Sequence, residues 1–143
     1  MAELIMAEAY GKRILVIASS DLSHYPDQDL ACAVDSSTVS AILSGDVASF
    51  LQATAVSELP QGLDTFTCGR LPIALVMYYA GLYPEMTPVE LARATSAPVS
   101  GDYSRVVGYS SIGFLTPVTD PGSWGLSARS KEELLNIARI SLE

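Results

Sequence analysis

The chain has 143 residues, a length typical of one folded domain. Apolar residues make up 49% of it and charged residues 17%, a balance that fits a hydrophobic core and excludes a disordered segment. The 16 acidic residues outnumber the 8 basic ones and give a formal net charge of −8, which argues against nucleic acid or an anionic membrane as a partner, because both require clustered lysine and arginine.

The termini and cysteines predict a soluble, cytoplasmic protein. Residues 1–8 carry acidic side chains where a signal peptide needs a basic start. The longest apolar stretch, residues 73–83, is too short to span a bilayer. Cys32 and Cys68 lie too far apart in the sequence to suggest a disulfide framework, which favours a reducing compartment.

The first predicted elements lead directly to the most informative part of the chain. Residues 2–10 are predicted to end a helix that Gly11 breaks. Residues 14–18 read Ile-Leu-Val-Ile-Ala, which is typical of a strand buried on both faces in a sheet covered by helices. Because open α/β sheets place their sites just past the ends of such strands, Asp21, Ser23 and His24 are expected to lie in a functional site.

The middle of the chain predicts mostly helix. Amphipathic spacing indicates a helix over residues 30–43, and Asp46 can cap a short helix that follows it. A long apolar helix is predicted from about residue 68 to residue 79, a short helix over residues 88–95, and a strand over residues 105–117.

The chain changes character after residue 118. Residues 119–129 form a linker-like cluster of turn residues. Residues 130–143 begin with a capping box, with serine at the cap and glutamate three positions later, and continue with an apolar stripe at helical spacing. A second structural unit is therefore expected to start at residue 130.

The only histidine, His24, is the first candidate for chemistry. A histidine beside an acid can act as a general base or as a metal ligand, and Asp21 could orient its imidazole. The alternative is a loop histidine that only bonds backbone. A serine hydrolase is disfavoured, because triad residues converge from separate segments and the chain has no Gly-x-Ser-x-Gly sequence.

Cys68 is the second candidate. The predicted helix N-terminus and the neighbouring Arg70 favour a thiolate there, which would serve as a nucleophile or as a soft metal ligand. The alternative is a buried, inert cysteine. Cys32 lies on a predicted amphipathic helix and is assigned to the core, whereas Asp35 on the same helix is predicted to be a surface acid.

Four pieces of the sequence carry a resemblance to a known family: Ser-Ser-Asp-Leu-Ser-His-Tyr at 19–25, the acid at Asp35, Thr-Cys-Gly-Arg-Leu-Pro-Ile at 67–73, and Gly-Asp-Tyr-Ser-Arg-Val-Val-Gly-Tyr at 101–109. In this order and spacing they resemble the Memo family, whose bacterial members are called system protein B of the AmmeMemoRadiSam set. The resemblance covers about residues 10–117.

The resemblance implies a fold and a domain organisation. The fold would be α/β, a three-layer αβα sandwich around a mixed sheet like that of the class III extradiol dioxygenases. Residues 1–118 would be the C-terminal part of a Memo-like domain, incomplete at its N-terminus and lacking two metal-ligand histidines of the family. After the linker at 119–129, residues 130–143 resemble the first helix of an AMMECR-type domain.

The resemblance also implies roles for three residues. Cys68 falls on the metal-ligand cysteine of the family, His24 on the acid/base histidine, and Asp21 on an acid that lines the same pocket. The implied function is a metal-associated redox or dioxygenase-type protein that uses iron or copper, since thiolate and imidazole suit either metal. The substrate would be an unidentified small molecule. The alternative is a non-catalytic binding or scaffold module of the same fold.

Two kinds of partner are expected. Loss of the first strands of such a domain would expose apolar surface, which predicts a homo-oligomer, most simply a dimer, or else a poorly soluble monomer. The resemblance further implies association with AMMECR-type and radical-SAM proteins.

Overall fold

The structure is a computed structural model that describes residues 2–12, 14–55 and 59–117. The predicted linker at 119–129 and the predicted helix at 130–143 lie outside these described residues. Within the described residues the elements, in chain order, are α1 (Ala2–Ala9), α2 (Gln28–Leu43), α3 (Val47–Ala53), α4 (Arg70–Gly81), β1 (Thr87–Thr95), α5 (Ala97–Ser100) and β2 (Gly108–Leu115).

The larger helices confirm the sequence patterns and their caps. Helix α2 begins two residues earlier than predicted, because the Asp27 side chain accepts a hydrogen bond from Leu30 N and caps it. The carboxylate of Asp46 accepts bonds from the first free amides of α3, as predicted. Helix α4 places Pro72 in its first turn, where a missing N–H costs nothing.

The prediction of a short helix at residues 88–95 was wrong. These residues belong to β1, which pairs antiparallel with β2 so that Thr87 faces Leu115 and Thr95 faces Gly108. The β2 prediction itself was confirmed, and its backbone supplies the hydrogen bonds that draw the preceding segment into a hairpin-like ladder. Long-range pairing of this kind overrides a weak local helix preference.

The predicted buried strand at residues 14–18 does not form among the described residues. The segment belongs to no strand, and its Leu15 and Ile17 side chains are 79% and 75% exposed. A doubly buried strand needs hydrogen-bonding neighbours, and the described part of the chain offers this segment none. The segment lines an apolar groove of about 680 Å³, together with side chains of α4 and β2.

The core lies where the three main helices meet. Ile42, Phe50, Ala74 and Met77 form a buried cluster that joins α2, α3 and α4. Cys32 does not belong to this core, contrary to the prediction. It is exposed on α2, where its Sγ accepts a hydrogen bond from the Gln28 side chain.

The described residues therefore form a mixed helix and strand structure with a small antiparallel sheet, which is consistent with an α/β fold. The three-layer sandwich and the mixed sheet stay predictions. None of the described helices is long and apolar enough to cross a membrane.

Candidate functional site

The candidate site is centred on residues 21–26, here called the site loop, which neighbouring segments hold from both sides. His24 N donates to Thr65 O at 3.2 Å, and Tyr25 N donates to Val106 O at 2.7 Å. His24 thus forms isolated bridges with a segment on each side. Backbone bonds of this kind fix the path of a loop that has no regular secondary structure of its own.

Asp35 on α2 holds the backbone of the site loop through a hydrogen bond. Its Oδ1 accepts a hydrogen bond from Ser23 N at 3.0 Å. The side chain is buried, with 1% of Asp35 exposed, so the prediction of a surface acid was wrong. Burial raises the pKa of Asp35, and the hydrogen bonding from Ser23 that lowers it is the weaker effect. The Ser23 hydroxyl also faces this carboxyl, yet neither its Oγ nor Asp35 Oδ2 has a well-formed hydrogen bond within the described residues.

The turn that carries Cys68 is bonded to the start of the site loop. Gly69 N donates to Ser20 Oγ at 2.8 Å, and Thr67 Oγ1 donates to Asp21 O at 2.8 Å. Gly69 is required for this approach, because a Cβ there would lie 2.5 Å from Ser20 Cβ. Two segments 47 residues apart are therefore locked against each other at the site.

This locking brings the three predicted site residues together. One ligand atom from each of Asp21, His24 and Cys68 lies within 4.8 Å of the other two. His24 Nε2 is 3.5 Å from Asp21 Oδ2, and Asp21 N donates to Cys68 Sγ at 3.3 Å. Asp21 and His24 lie three positions apart in one loop, and tertiary contacts bring Cys68 to them.

The cluster fits a metal ion by the chemistry of its donors. A thiolate, an imidazole and a carboxylate form a set that proteins use for transition metals. The His24 side chain is 23% exposed and the Asp21 side chain 47%. His24 Nε2 is itself buried and has no hydrogen-bond partner within the described residues. A buried ring nitrogen without a partner is available for a ligand or a proton.

Arg70 does not serve Cys68 in the way that the sequence predicted. Its guanidinium donates to Leu51 O at 2.6 Å and to Thr54 Oγ1 at 3.1 Å, so its charge is directed to the end of α3. Cys68 does lie immediately before the N-terminal cap of α4, at Gly69, as predicted. The hydrogen bond from Asp21 N is the contact that the structure adds at its sulfur.

Tyr25 closes the site loop beside His24. Its φ of 68° lies in the left-handed region, which few residues other than glycine adopt. The Arg105 guanidinium lies 4.2 Å from the centre of the Tyr25 ring, a distance typical of a cation–π contact. This contact and the backbone bond to Val106 hold the unusual conformation in place.

Sequence reasoning missed Asp35 as part of the site, although a signal was present. Residues at helical spacing share one face of a helix, and an acid within an apolar stripe is expected to be buried. Asp35 belongs to such a stripe. The buried residues of α2 are Ala31, Val34, Asp35, Thr38, Val39 and Ile42.

Known proteins of one family are similar to most of this chain. The family model described as Memo-like protein matches residues 1–113. The chain is similar to a MEMO1 family protein of Ignicoccus hospitalis, with 32% identity over 110 residues that make up 77% of this chain and 36% of the relative. It is similar to a MEMO1 family protein of Methanocaldococcus jannaschii, with 36% identity over 107 residues, or 74% of this chain and 35% of the relative.

A third relative, a MEMO1 family protein of Archaeoglobus fulgidus, is 34% identical over 113 residues, which are 78% of this chain and 40% of the relative. No solved structure matches the chain. The chain thus spans a little over a third of the length of these curated relatives. The family match covers most of the chain and includes all three residues of the cluster, and on that ground the chain belongs to the Memo family.

Proposed function

We propose that the chain carries a metal-associated redox or dioxygenase-type site, in which Cys68 is a metal ligand and His24 and Asp21 are the catalytic residues. The observation that carries the proposal is the convergence of the three ligand atoms within 4.8 Å. Membership of the Memo family supports it, because the resemblance implies these same roles.

Cys68 would hold the metal through its thiolate. The sulfur is exposed and accepts a hydrogen bond from Asp21 N, and a backbone amide favours a negative acceptor. Iron and copper both suit a thiolate with a nearby imidazole. When bound, the metal would supply redox chemistry or polarise a substrate atom.

His24 and Asp21 would handle protons beside the metal. Asp21 Oδ2 lies 3.5 Å from His24 Nε2, so the carboxylate restricts the rotation of the ring. Because Nε2 has no hydrogen-bond partner within the described residues, it is free to take a proton from a small-molecule substrate or to give one.

We further propose that residues 14–18 occupy a strand of a larger mixed sheet in a complete Memo-type domain with three layers. Two observations support this: the exposed, apolar Leu15 and Ile17 side chains, and relatives almost three times as long as the matched region. The residues beyond the match would supply the two histidine ligands that the resemblance implies. In the complete domain they would add to the donors of Asp21, His24 and Cys68, which converge in the described part of this chain and suffice for the binding that metal analysis tests.

Metal analysis of purified variants tests the site. We expect wild-type chain loaded with Fe²⁺ or Cu⁺ to retain about one ion per chain after gel filtration, and Cys68→Ala to lose it. Cys32→Ala is the matched control, because Cys32 is the other free, exposed cysteine, and it should retain the ion. Equal metal content in all three proteins, including none, would overturn the proposal.

The second candidate is a non-catalytic binding module of the same fold. The observation that favours it is the apolar groove of about 680 Å³, which the three site residues do not line. A folded wild-type chain without metal that associates with itself through Leu15 and Ile17 would support this second candidate.

A further inference from the structure

A buried carboxylate lies behind the candidate site without belonging to it. Asp35 is 1% exposed on α2 and is not one of the three residues whose ligand atoms converge. Burying a carboxyl group costs free energy unless its contacts compensate for the loss of water. Within the described ranges, its one well-formed hydrogen bond is with Ser23 N, at 3.0 Å, in the site loop.

Ser23 is held at both of its backbone polar groups. Asp35 accepts from its N–H, and Gly108 N donates to its carbonyl oxygen at 2.9 Å. Gly108 packs directly against the Asp35 carboxyl, and a Cβ at this position would collide with it. Leu22 N completes the arrangement by donating to Gly108 O at 2.8 Å.

Ser23 precedes His24 and follows Asp21 by two positions, so its backbone sets the direction of both side chains. We propose that Asp35 is a positioning residue that fixes the Ser23 peptide and thereby aims Asp21 and His24 at Cys68. The claim that this orientation of Asp21 and His24 favours metal binding rests on the proposed function. The claim that Asp35 fixes the conformation of the site loop does not.

Three variants separate the acceptor at residue 35 from its charge and from general stability. Asp35→Ala removes the acceptor for Ser23 N. Asp35→Asn keeps an acceptor oxygen, and its amide can donate to the Ser23 hydroxyl. Val39→Ala removes buried volume from the same helix without touching the site loop, because Val39 is buried one turn away. If Asp35→Ala does not fold, Asp35→Ser replaces it. The serine side chain is one bond shorter than that of aspartate, so its hydroxyl stops short of Ser23 N.

The first readout is amide hydrogen exchange in the metal-free protein. We expect exchange at Ser23 and His24 to be about 10-fold faster in Asp35→Ala and close to wild type in Asp35→Asn, because a lost hydrogen bond opens the loop locally. Val39→Ala should change exchange at these two amides no more than it does elsewhere in α2. Unchanged exchange at Ser23 in Asp35→Ala would overturn the proposal, and so would equal acceleration in Val39→Ala.

The second readout is the affinity for Fe²⁺ measured by competition with a chelator. We expect Asp35→Ala to bind about 10-fold more weakly, with Asp35→Asn and Val39→Ala near wild type, since supporting contacts outside the ligand set typically have effects of this size. Wild-type chain that binds no Fe²⁺ would refute the proposed function, and the exchange measurement would still decide the role of Asp35. Equal weakening of Fe²⁺ binding in Val39→Ala would refute the positioning role of Asp35 and leave the proposed function standing.

Discussion

Two neighbouring segments of this chain contrast in a way that their sequences do not suggest. Residues 14–18 are wholly apolar, yet Leu15 and Ile17 are largely exposed, and the segment pairs with no strand in the part of the chain that the structure describes. The site loop at 21–26 is largely polar, yet Leu22, Ser23 and Pro26 within it are buried. The two segments differ in their backbone hydrogen bonds. Neighbouring segments bond the site loop from two sides, whereas no described residue does so for residues 14–18.

The contrast shows that position in this fold depends on backbone partners as much as on side-chain polarity. An apolar segment is buried only where other elements can cover it and pair with it. The buried part of the site loop is stable because hydrogen bonds with Asp35, Gly108, Thr65 and Val106 compensate its backbone for the loss of water. Substitutions in the contacts of the site loop and in residues 14–18 can therefore test the two segments separately.

The largest expected effect comes from crowding the buried contact behind the site loop. Gly108→Ala should destabilise the fold by about 3 kcal/mol, because the added Cβ collides with the Asp35 carboxyl. Urea unfolding measures the change. Gly81→Ala in α4 is the matched control and should be neutral or slightly stabilising, because nothing lies within 4 Å of its Cβ position. Equal behaviour of the two variants would contradict the contact.

A smaller loss is expected at the turn that carries Cys68. Thr67→Val keeps the shape of a buried side chain but removes the hydroxyl that donates to Asp21 O at 2.8 Å. The unpaired groups left behind should lower the free energy of unfolding by about 1 kcal/mol. Thermal unfolding measures this. A variant as stable as wild type would show that the turn is held by other contacts.

The raised pKa of Asp35 predicts a stability change with pH. Because its folded pKa lies above the ordinary value of 3.8, this group favours folding at lower pH, and that contribution is lost as the pH rises through the folded pKa. Asp35→Asn does not titrate. The stability of wild type relative to Asp35→Asn should therefore fall as the pH rises from below 3.8 through the folded pKa, then level off. A constant difference from acidic to neutral pH would contradict burial of an ionisable group.

The smallest expected effect lies in the apolar segment. The double change Leu15→Ser and Ile17→Ser should alter the free energy of unfolding by less than about 0.5 kcal/mol, because both side chains are already exposed. Light scattering should show less self-association, since exposed apolar segments promote it. A large loss of stability would mean that the segment is covered in solution.

Much of the helical structure could be predicted from local patterns. The cap at Asp46, the early proline of α4 and the amphipathic spacing of α2 depend on residues that are close in sequence. Strand β1 could not be predicted in this way, because its conformation depends on β2, which begins 13 residues after β1 ends. The strand predicted at residues 14–18 does not form among the described residues for the same reason, since apolar composition does not reveal whether a partner strand is available.

The candidate site, too, could be predicted from the sequence only in part. His24, Asp21 and Cys68 were predicted from their chemistry and from the resemblance, and their convergence needed contacts between residues 47 positions apart. Asp35 was misassigned, although its place in the buried stripe of α2 is a local signal. Its hydrogen bond to Ser23, in contrast, is a tertiary contact that spacing does not predict.

The most direct test of the central claim, that Cys68 shares one metal site with His24 and Asp21, is the alkylation rate of the two cysteines with and without Fe²⁺. Cys32 is an internal control, because it is also free and exposed. We predict that Fe²⁺ slows alkylation of Cys68 about 10-fold and leaves the rate at Cys32 unchanged. In His24→Ala, Fe²⁺ should no longer slow alkylation of Cys68. Equal protection of both cysteines, or no protection of Cys68, would contradict the account.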